Sequence, residues 1–171
     1  MTADDFFALG EEVKLVELID GELVHNVMPP IRHQRVIGNL LMALAHYFRA
    51  RGGGEVWLSP LDVVLDEHNV CEPDLIVISD ARASIVGERC ITGAPDILIE
   101  VLTEDSRVQD EVTKRRLYER FGVTEYWIVD LTRDEVRAHR GGETALLAGT
   151  DEITSPLLPG FAFPVRDVFE A

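Results

Sequence analysis

The stretch PDILIEVLTEDSRVQDEVTKRRLYERFGVTEYWIVD, Pro95 to Asp130, decides the fold. It opens on an apolar run, Ile97 to Leu102, bounded by Pro95 on one side and Thr103-Glu104-Asp105-Ser106 on the other. A short run rich in Ile, Leu and Val between such breakers predicts a strand buried on both faces. Glu100 stands in its middle. An ionisable side chain at such a place is unfavourable unless it is paired or holds a metal, so Glu100 is the first candidate functional residue.

The segment after the strand predicts a helix, with Asp105 or Ser106 able to cap it and Gly122 at the position that ends it. At about 100° per residue, Asp110, Lys114, Leu117 and Phe121 fall within roughly 60° of one another. Arg115, Arg116, Glu119 and Arg120 point elsewhere. Lys114 therefore shares the stripe that must face the sheet. Tyr126-Trp127-Ile128-Val129 predicts a second buried strand, and this order predicts a right-handed crossover between parallel neighbours. Such a crossover leans Lys114 over the strand that carries Glu100.

The whole chain has 171 residues and 46% hydrophobic content, which predicts a single globular domain over 1–171. No apolar run approaches the roughly 18 residues a bilayer requires. The start, MTADDFFALGEEVK, is acidic and lacks the layout of a secretion signal. Cys71 and Cys90 offer neither a disulfide framework nor metal-type spacing; reduced thiols in the cytoplasm are the expectation. The net charge of −15 argues against a surface built to coat nucleic acid. The densest basic cluster is Arg107, Lys114, Arg115, Arg116 and Arg120. Its outward members Arg115, Arg116 and Arg120 read as surface ion pairs with Asp110, Glu111 and Glu119.

Thr2 to Gly10 predicts a short capped helix. Val13 to Ile19 and Glu22 to Val27 flank Asp20-Gly21, a type I′ hairpin signal that pairs Glu17 near Val24 and Ile19 with Glu22. His33 to Arg49 is the longest helical pattern, with Val36, Leu40, Leu41 and Leu44 on its apolar face. A histidine at a helix start, such as His33, is more often a cap or a surface residue than a functional group. Glu55 to Leu65 predicts one strand interrupted at Ser59-Pro60. Pro73 stiffens the approach to the next apolar run and holds Asp74 at its first residues. Glu135 to Arg140 and Thr144 to Ala148 straddle Gly141-Gly142 as a hairpin, and the apolar tail from Leu157 to Phe169 should pack back on the core.

Asp74, Glu100 and Lys114 form a constellation. Two carboxylates on neighbouring strands make a hard oxygen site suited to Mg²⁺ or Mn²⁺. A lysine beside them can orient or deprotonate a water, or neutralise a pentavalent phosphate. That is a minimal kit for hydrolysing a phosphodiester. The plainer reading of Glu100 and Lys114 is a buried ion pair without a ligand; both stand where a structural residue would be apolar, which favours function.

The segments LVELIDGELV, PDLIVISD, PDILIEVLTEDS, DEVTKRRLYERFGVTEYWIVD and LLPGF resemble the Uma-two family of bacterial proteins, over nearly the whole chain. That family is placed in the PD-(D/E)xK superfamily, and the resemblance implies an α/β, restriction-endonuclease-like mixed β-sheet flanked by α-helices, with an N-terminal hairpin. It implies Asp74 and Glu100 as metal-binding carboxylates, and Glu17 as a further acidic ligand. In the superfamily pattern the lysine lies two residues after the glutamate; here that position is Leu102, and Lys114 replaces it from the helix. The function implied is a Mg²⁺- or Mn²⁺-dependent endonuclease acting on DNA, with the backbone carbonyl beside Glu100 as a further metal ligand. A homodimer is expected. Two other readings stand beside it: a catalytically inactive module of the same fold that acts through protein partners, and a hydrolase of small phosphate-bearing substrates.

Overall fold

The computed structural model describes residues 1–10, 15–104 and 106–170. In chain order the first half comprises α1 (Ala3–Ala8), β1 (Val16–Ile19), β2 (Glu22–His25), α2 (Ile31–Arg51), β3 (Gly54–Leu58), β4 (Val63–Asp66), β5 (Asn69–Cys71), β6 (Leu75–Ser79) and β7 (Ile91–Thr92). The second half comprises β8 (Ile97–Leu102), α3 (Arg115–Phe121), β9 (Glu125–Asp130), β10 (Glu135–Arg140), β11 (Glu143–Ala148), β12 (Glu152–Ser155), β13 (Leu158–Pro164) and α4 (Val165–Phe169).

The Pro95–Asp130 unit forms the centre of the molecule. β8 and β9 are parallel neighbours, in register from Ile97 opposite Glu125 to Leu102 opposite Asp130. They lie inside a mixed six-stranded sheet of order β11-β10-β9-β8-β6-β3. All six residues of each central strand are buried, as expected of a strand covered on both faces. Side chains alternate. Ile97, Ile99 and Val101 meet Val36, Leu40 and Leu44 of α2, together with Phe161, Val165 and Val168 of the tail. Leu98 and Leu102 face the other way, toward Leu117 and Tyr118 of α3 and toward Ile19, Val63 and Cys71. Glu100 shares the parity of Leu98 and Leu102, so it points at the helix that carries Lys114.

A five-stranded sheet, β2-β1-β5-β4-β7, adjoins that second face, and β12 pairs with β13 in a separate hairpin. The N-terminal hairpin keeps the predicted register, Glu17 opposite Val24 and Ile19 opposite Glu22. Its turn residues Asp20 and Gly21 both have positive φ, 48° and 81°, as a type I′ turn requires. Thr2 closes a capping box with Asp5 at the start of α1. Gly122 ends α3 with φ 80°, a left-handed cap that only glycine adopts at low energy.

Three expectations change. Glu55–Leu65 is not one interrupted strand: the chain leaves the six-stranded sheet after β3 and joins the five-stranded sheet as β4, with a cis peptide at Ser59-Pro60. Ser106 does not cap the helix after β8, because its hydroxyl instead accepts from the Thr103 amide at 3.1 Å. That helix also does not wind uniformly: Gln109–Lys114 form a wide π turn before α3 begins. Two sequence readings, Asp105 as a cap and the strand start at Val13, lie outside the described residues. No helix among the described residues is long and apolar enough to cross a membrane.

Candidate functional site

Lys114 is buried, and its ammonium is enclosed by carboxylates from three elements. Glu100 of β8 lies at 2.9 Å, Glu17 of β1 at 3.0 Å, and Asp110, one turn earlier in its own helix, at 3.4 Å. Of these, Glu100 accepts a hydrogen bond from the ammonium, and Glu17 and Asp110 add ion-pair contacts. The partners are fixed in turn. Tyr118 donates to Glu100 Oε1 at 3.0 Å. Glu17 accepts from Asn26 Nδ2 at 3.1 Å and from the Glu72 amide at 2.8 Å. Tyr126 donates to the Asp110 carbonyl at 3.2 Å, and its ring meets Tyr118 edge-on, with centroids 5.0 Å apart.

Asp74 stands immediately before β6, opposite the second half of β8. Its Oδ2 accepts from the Val101 amide at 2.7 Å and lies 3.2 Å from His33 Nε2. The Val101 contact ties Asp74 to the residue next to Glu100, so both carboxylates are anchored on the same short piece of sheet. His33 is buried at the start of α2. It is neither a cap nor a surface residue, contrary to the commoner expectation for that position. Its Nδ1 is enclosed without a hydrogen-bond partner.

The structure thus brings all the expected site residues into one region. Asp74, Glu100 and Lys114 line a single pocket of about 660 Å³ together with His33, Glu72 and Asp110. Glu17 stands behind that lining and holds Lys114 from the far side. Three participants escaped the sequence reading. Tyr118 occupies a buried aromatic position on a helix, which reads as core, and nothing in the sequence tells where its hydroxyl goes. Asp110 was placed on the inward stripe without a role. The His33–Asp74 pairing joins residues 41 positions apart, and no local pattern encodes such a contact.

The electrostatics are those of a site with surplus negative charge. Burial pushes the Glu100 carboxyl well above its ordinary value; Lys114 opposes that shift, and Asp110, Asp74 and Glu17 add to it. Burial raises Asp110 in the same direction. Glu72 is pushed up to about 7, first by desolvation and then by Asp62 and Glu17. Burial alone would lower Lys114, but Glu100, Glu17 and Asp110 outweigh it and hold the ammonium well above its ordinary value. Lys114 therefore keeps its proton throughout the physiological range. It can orient a water or face a developing negative charge.

The donor set fits a hard divalent cation. Asp74 and Glu100 offer carboxylate oxygens, and the surrounding acids lack a balancing charge. Among the described residues no group of three or more His, Cys, Asp or Glu is disposed to hold a metal. Mg²⁺ commonly keeps several waters and takes only one or two carboxylates from the protein, the kind of donor that Asp74 and Glu100 offer on the lining of one pocket. Zinc, which usually takes three or four protein ligands of the N or S type, would not be served.

A family model described as "Putative restriction endonuclease" (Uma2) matches residues 3–166. Among solved structures, the crystal structure of "a putative nuclease belonging to DUF820" from Anabaena variabilis ATCC 29413 is similar over 99% of this chain and 97% of that one, at 24% identity and a TM-score of 0.82. That likeness is one of fold. No curated protein matches the chain.

Proposed function

The chain belongs to the Uma2 family of restriction-endonuclease-like proteins, and from that premise we propose that it is a Mg²⁺- or Mn²⁺-dependent nuclease that hydrolyses phosphodiester bonds of DNA. One observation carries the reading: Glu100, a carboxylate inside a fully buried strand, faces a helix-borne Lys114 and lines one pocket with Asp74. Membership supports a nuclease; the metal and the substrate are our inference.

Asp74 and Glu100 would hold the cation, with the backbone carbonyl beside Glu100 as a third protein ligand. The cation, when bound, lowers the pKa of a coordinated water and screens the phosphate. Everything else is done by the chain. The Val101 amide and His33 fix the rotamer of Asp74. Tyr118 and Lys114 both bind Glu100 Oε1, which directs the other oxygen of that carboxylate away from them. Lys114, permanently charged, orients the attacking water and faces the negative charge that grows on the phosphate. Glu17 was expected as a further metal ligand; with both its oxygens already engaged, we assign it to holding Lys114 in place.

The test is cleavage of circular plasmid and circular single-stranded DNA in Mg²⁺ or Mn²⁺, alongside a melting curve with and without the cation. Wild type should cut and should melt higher with Mn²⁺. Asp74→Asn and Glu100→Gln should lose both responses. Equal cutting by wild type and both variants would expose a contaminant and end the proposal. The buried pairing of Lys114 with three acids also suits an inactive module held together by that ion cluster; a wild type with neither cutting nor thermal shift would favour it.

A further inference from the structure

The pocket that holds Asp74 and Glu100 is poorly built for a double helix. Duplex binding depends on cations spread along the phosphate backbone. Among the described residues that line the pocket, Lys114 is the only lysine or arginine, and its charge is offset by Glu17, Glu100 and Asp110. Arg107, next in sequence to the lining residue Val108, turns away to Asp130 and Glu111. Four carboxylates, Glu72, Asp74, Glu100 and Asp110, line the same space. With a whole-chain charge of −15, no long-range attraction makes up the difference.

The pocket is rimmed instead by apolar side chains that face water. Val27 is 63% exposed, Met28 74%, Leu58 47% and Val108 75%, and all four line the pocket. They come from three separate segments: the chain after β2, the end of β3 and the start of the helix after β8. Large apolar groups gathered from separate segments around a polar cavity mark a ligand-binding surface more than chance exposure. Below the rim, Gln109 Nε2 and His33 Nδ1 are enclosed without hydrogen-bond partners, and both residues line the pocket. Apolar side chains above a floor that includes Gln109, His33 and Glu72 match a flat heterocycle with polar edges. Enzymes that act on an extruded nucleotide read it this way, by apolar packing on its faces and hydrogen bonds to its edge.

We propose, on the footing of the nuclease reading, that this site takes its DNA as an unpaired strand. One nucleotide leaves any stack, and its base packs against Val27, Met28 and Val108. The adjoining phosphodiester is thereby delivered to Asp74 and Glu100. Affinity then comes from base contacts and from the cation at the two carboxylates, and it should depend only shallowly on salt.

The test uses the full chain with Ca²⁺, which occupies hard oxygen sites, and fluorescence anisotropy of a labelled oligothymidylate, alone or paired with oligoadenylate. The unpaired strand should bind at least about tenfold more tightly than the duplex. Met28→Ser and Val108→Ser, neutral changes at exposed positions, should each weaken strand binding about fivefold and leave the melting temperature unchanged. Cleavage in Mn²⁺ should show the same order of substrates. Duplex bound or cut as well as the strand would overturn this inference and leave the nuclease reading standing. Serine variants that bind the strand like wild type would also overturn it. So would variants that instead convert a dimer to a monomer in sedimentation, because the rim would then be the contact between two copies. Failure to bind or cut either form would remove both readings together.

Discussion

Replacement of Lys114 by methionine isolates the ion cluster, since methionine keeps the length and the apolar stem of the side chain and removes only the charge. Glu17, Glu100 and Asp110 would then be left buried without their shared cation. Such a cluster escapes by taking up one further proton. For a glutamate with an ordinary value of 4.5, protonation at pH 7 costs about 3 to 4 kcal/mol at 1.36 kcal/mol per unit. That figure agrees with the roughly 3–5 kcal/mol seen when one partner of a buried ion pair is removed. It would consume a large part of the roughly 5–15 kcal/mol that holds a domain of this size folded. The sign follows from linkage. In the variant the abandoned acid has a folded-state pKa above its unfolded value, so its contribution is fully present below about 4.5 and is lost as pH rises. The gap between wild type and Lys114→Met should therefore be under about 1 kcal/mol at pH 5 and grow by about 1.4 kcal/mol per pH unit above it. Urea titrations at pH 5, 6, 7 and 8 measure this directly, with a matching drop in melting temperature of about 10 °C at pH 7. A variant within about 1 kcal/mol of wild type at pH 8, or a gap that does not change with pH, would refute the account of this cluster.

Tyr118→Phe removes one hydrogen bond from the buried Glu100 Oε1 and leaves its Lys114 contact in place. It should destabilise by about 1–2 kcal/mol and should reduce Mn²⁺ affinity as the carboxylate loosens, read by calorimetric titration; unchanged stability and affinity would show the hydroxyl to be idle. His139 stacks on Tyr126 and bonds Thr144, and desolvation, with Arg115 next, pushes its imidazole down to about 4. The stability it contributes is present above its ordinary 6.5 and is lost as pH falls toward 4, on the order of 1 kcal/mol once solvent screening is allowed for. His139→Gln should flatten that part of the pH–stability curve, and an unchanged slope between pH 6.5 and pH 4 would contradict the shift.

Most of the frame was legible because the signals are local. The alternation of Ile97–Leu102, the Asp20-Gly21 turn, Gly122 and the Gly141-Gly142 hairpin each state their structure within a few residues. The wheel that set Lys114 beside Leu117 also held, since Asp110, Lys114 and Leu117 are all buried and Phe121 packs half-buried against the same cluster. The misreadings have a common origin in tertiary choice. Whether Glu55–Leu65 continues in one sheet or crosses to another is decided by β5 and β6, far along the chain. Of the outward arginines, Arg115 pairs with Glu119 as expected, Arg116 has no ion pair among the described residues, and Arg120 reaches Asp20 in the hairpin turn, a partner that helix spacing could not offer. The fate of His33 was hidden for the same reason, since Asp74 approaches it from a different element.

The π turn at Gln109–Lys114 makes the winding of the helix a design variable in its own right. A turn of that kind accommodates one residue more than an α-turn over the same rise. Excision of one residue there is absorbed as the turn tightens to α winding, whereas insertion of one beyond what the wide turn holds would rotate everything after it by about 100° relative to what precedes it. Asp110 would then no longer share an azimuth with Lys114 and Tyr118, although no side chain on that face had been altered. The site is in this sense a matter of phase as much as of composition: an insertion at this seam dismantles it while each of its chemical groups survives in the sequence.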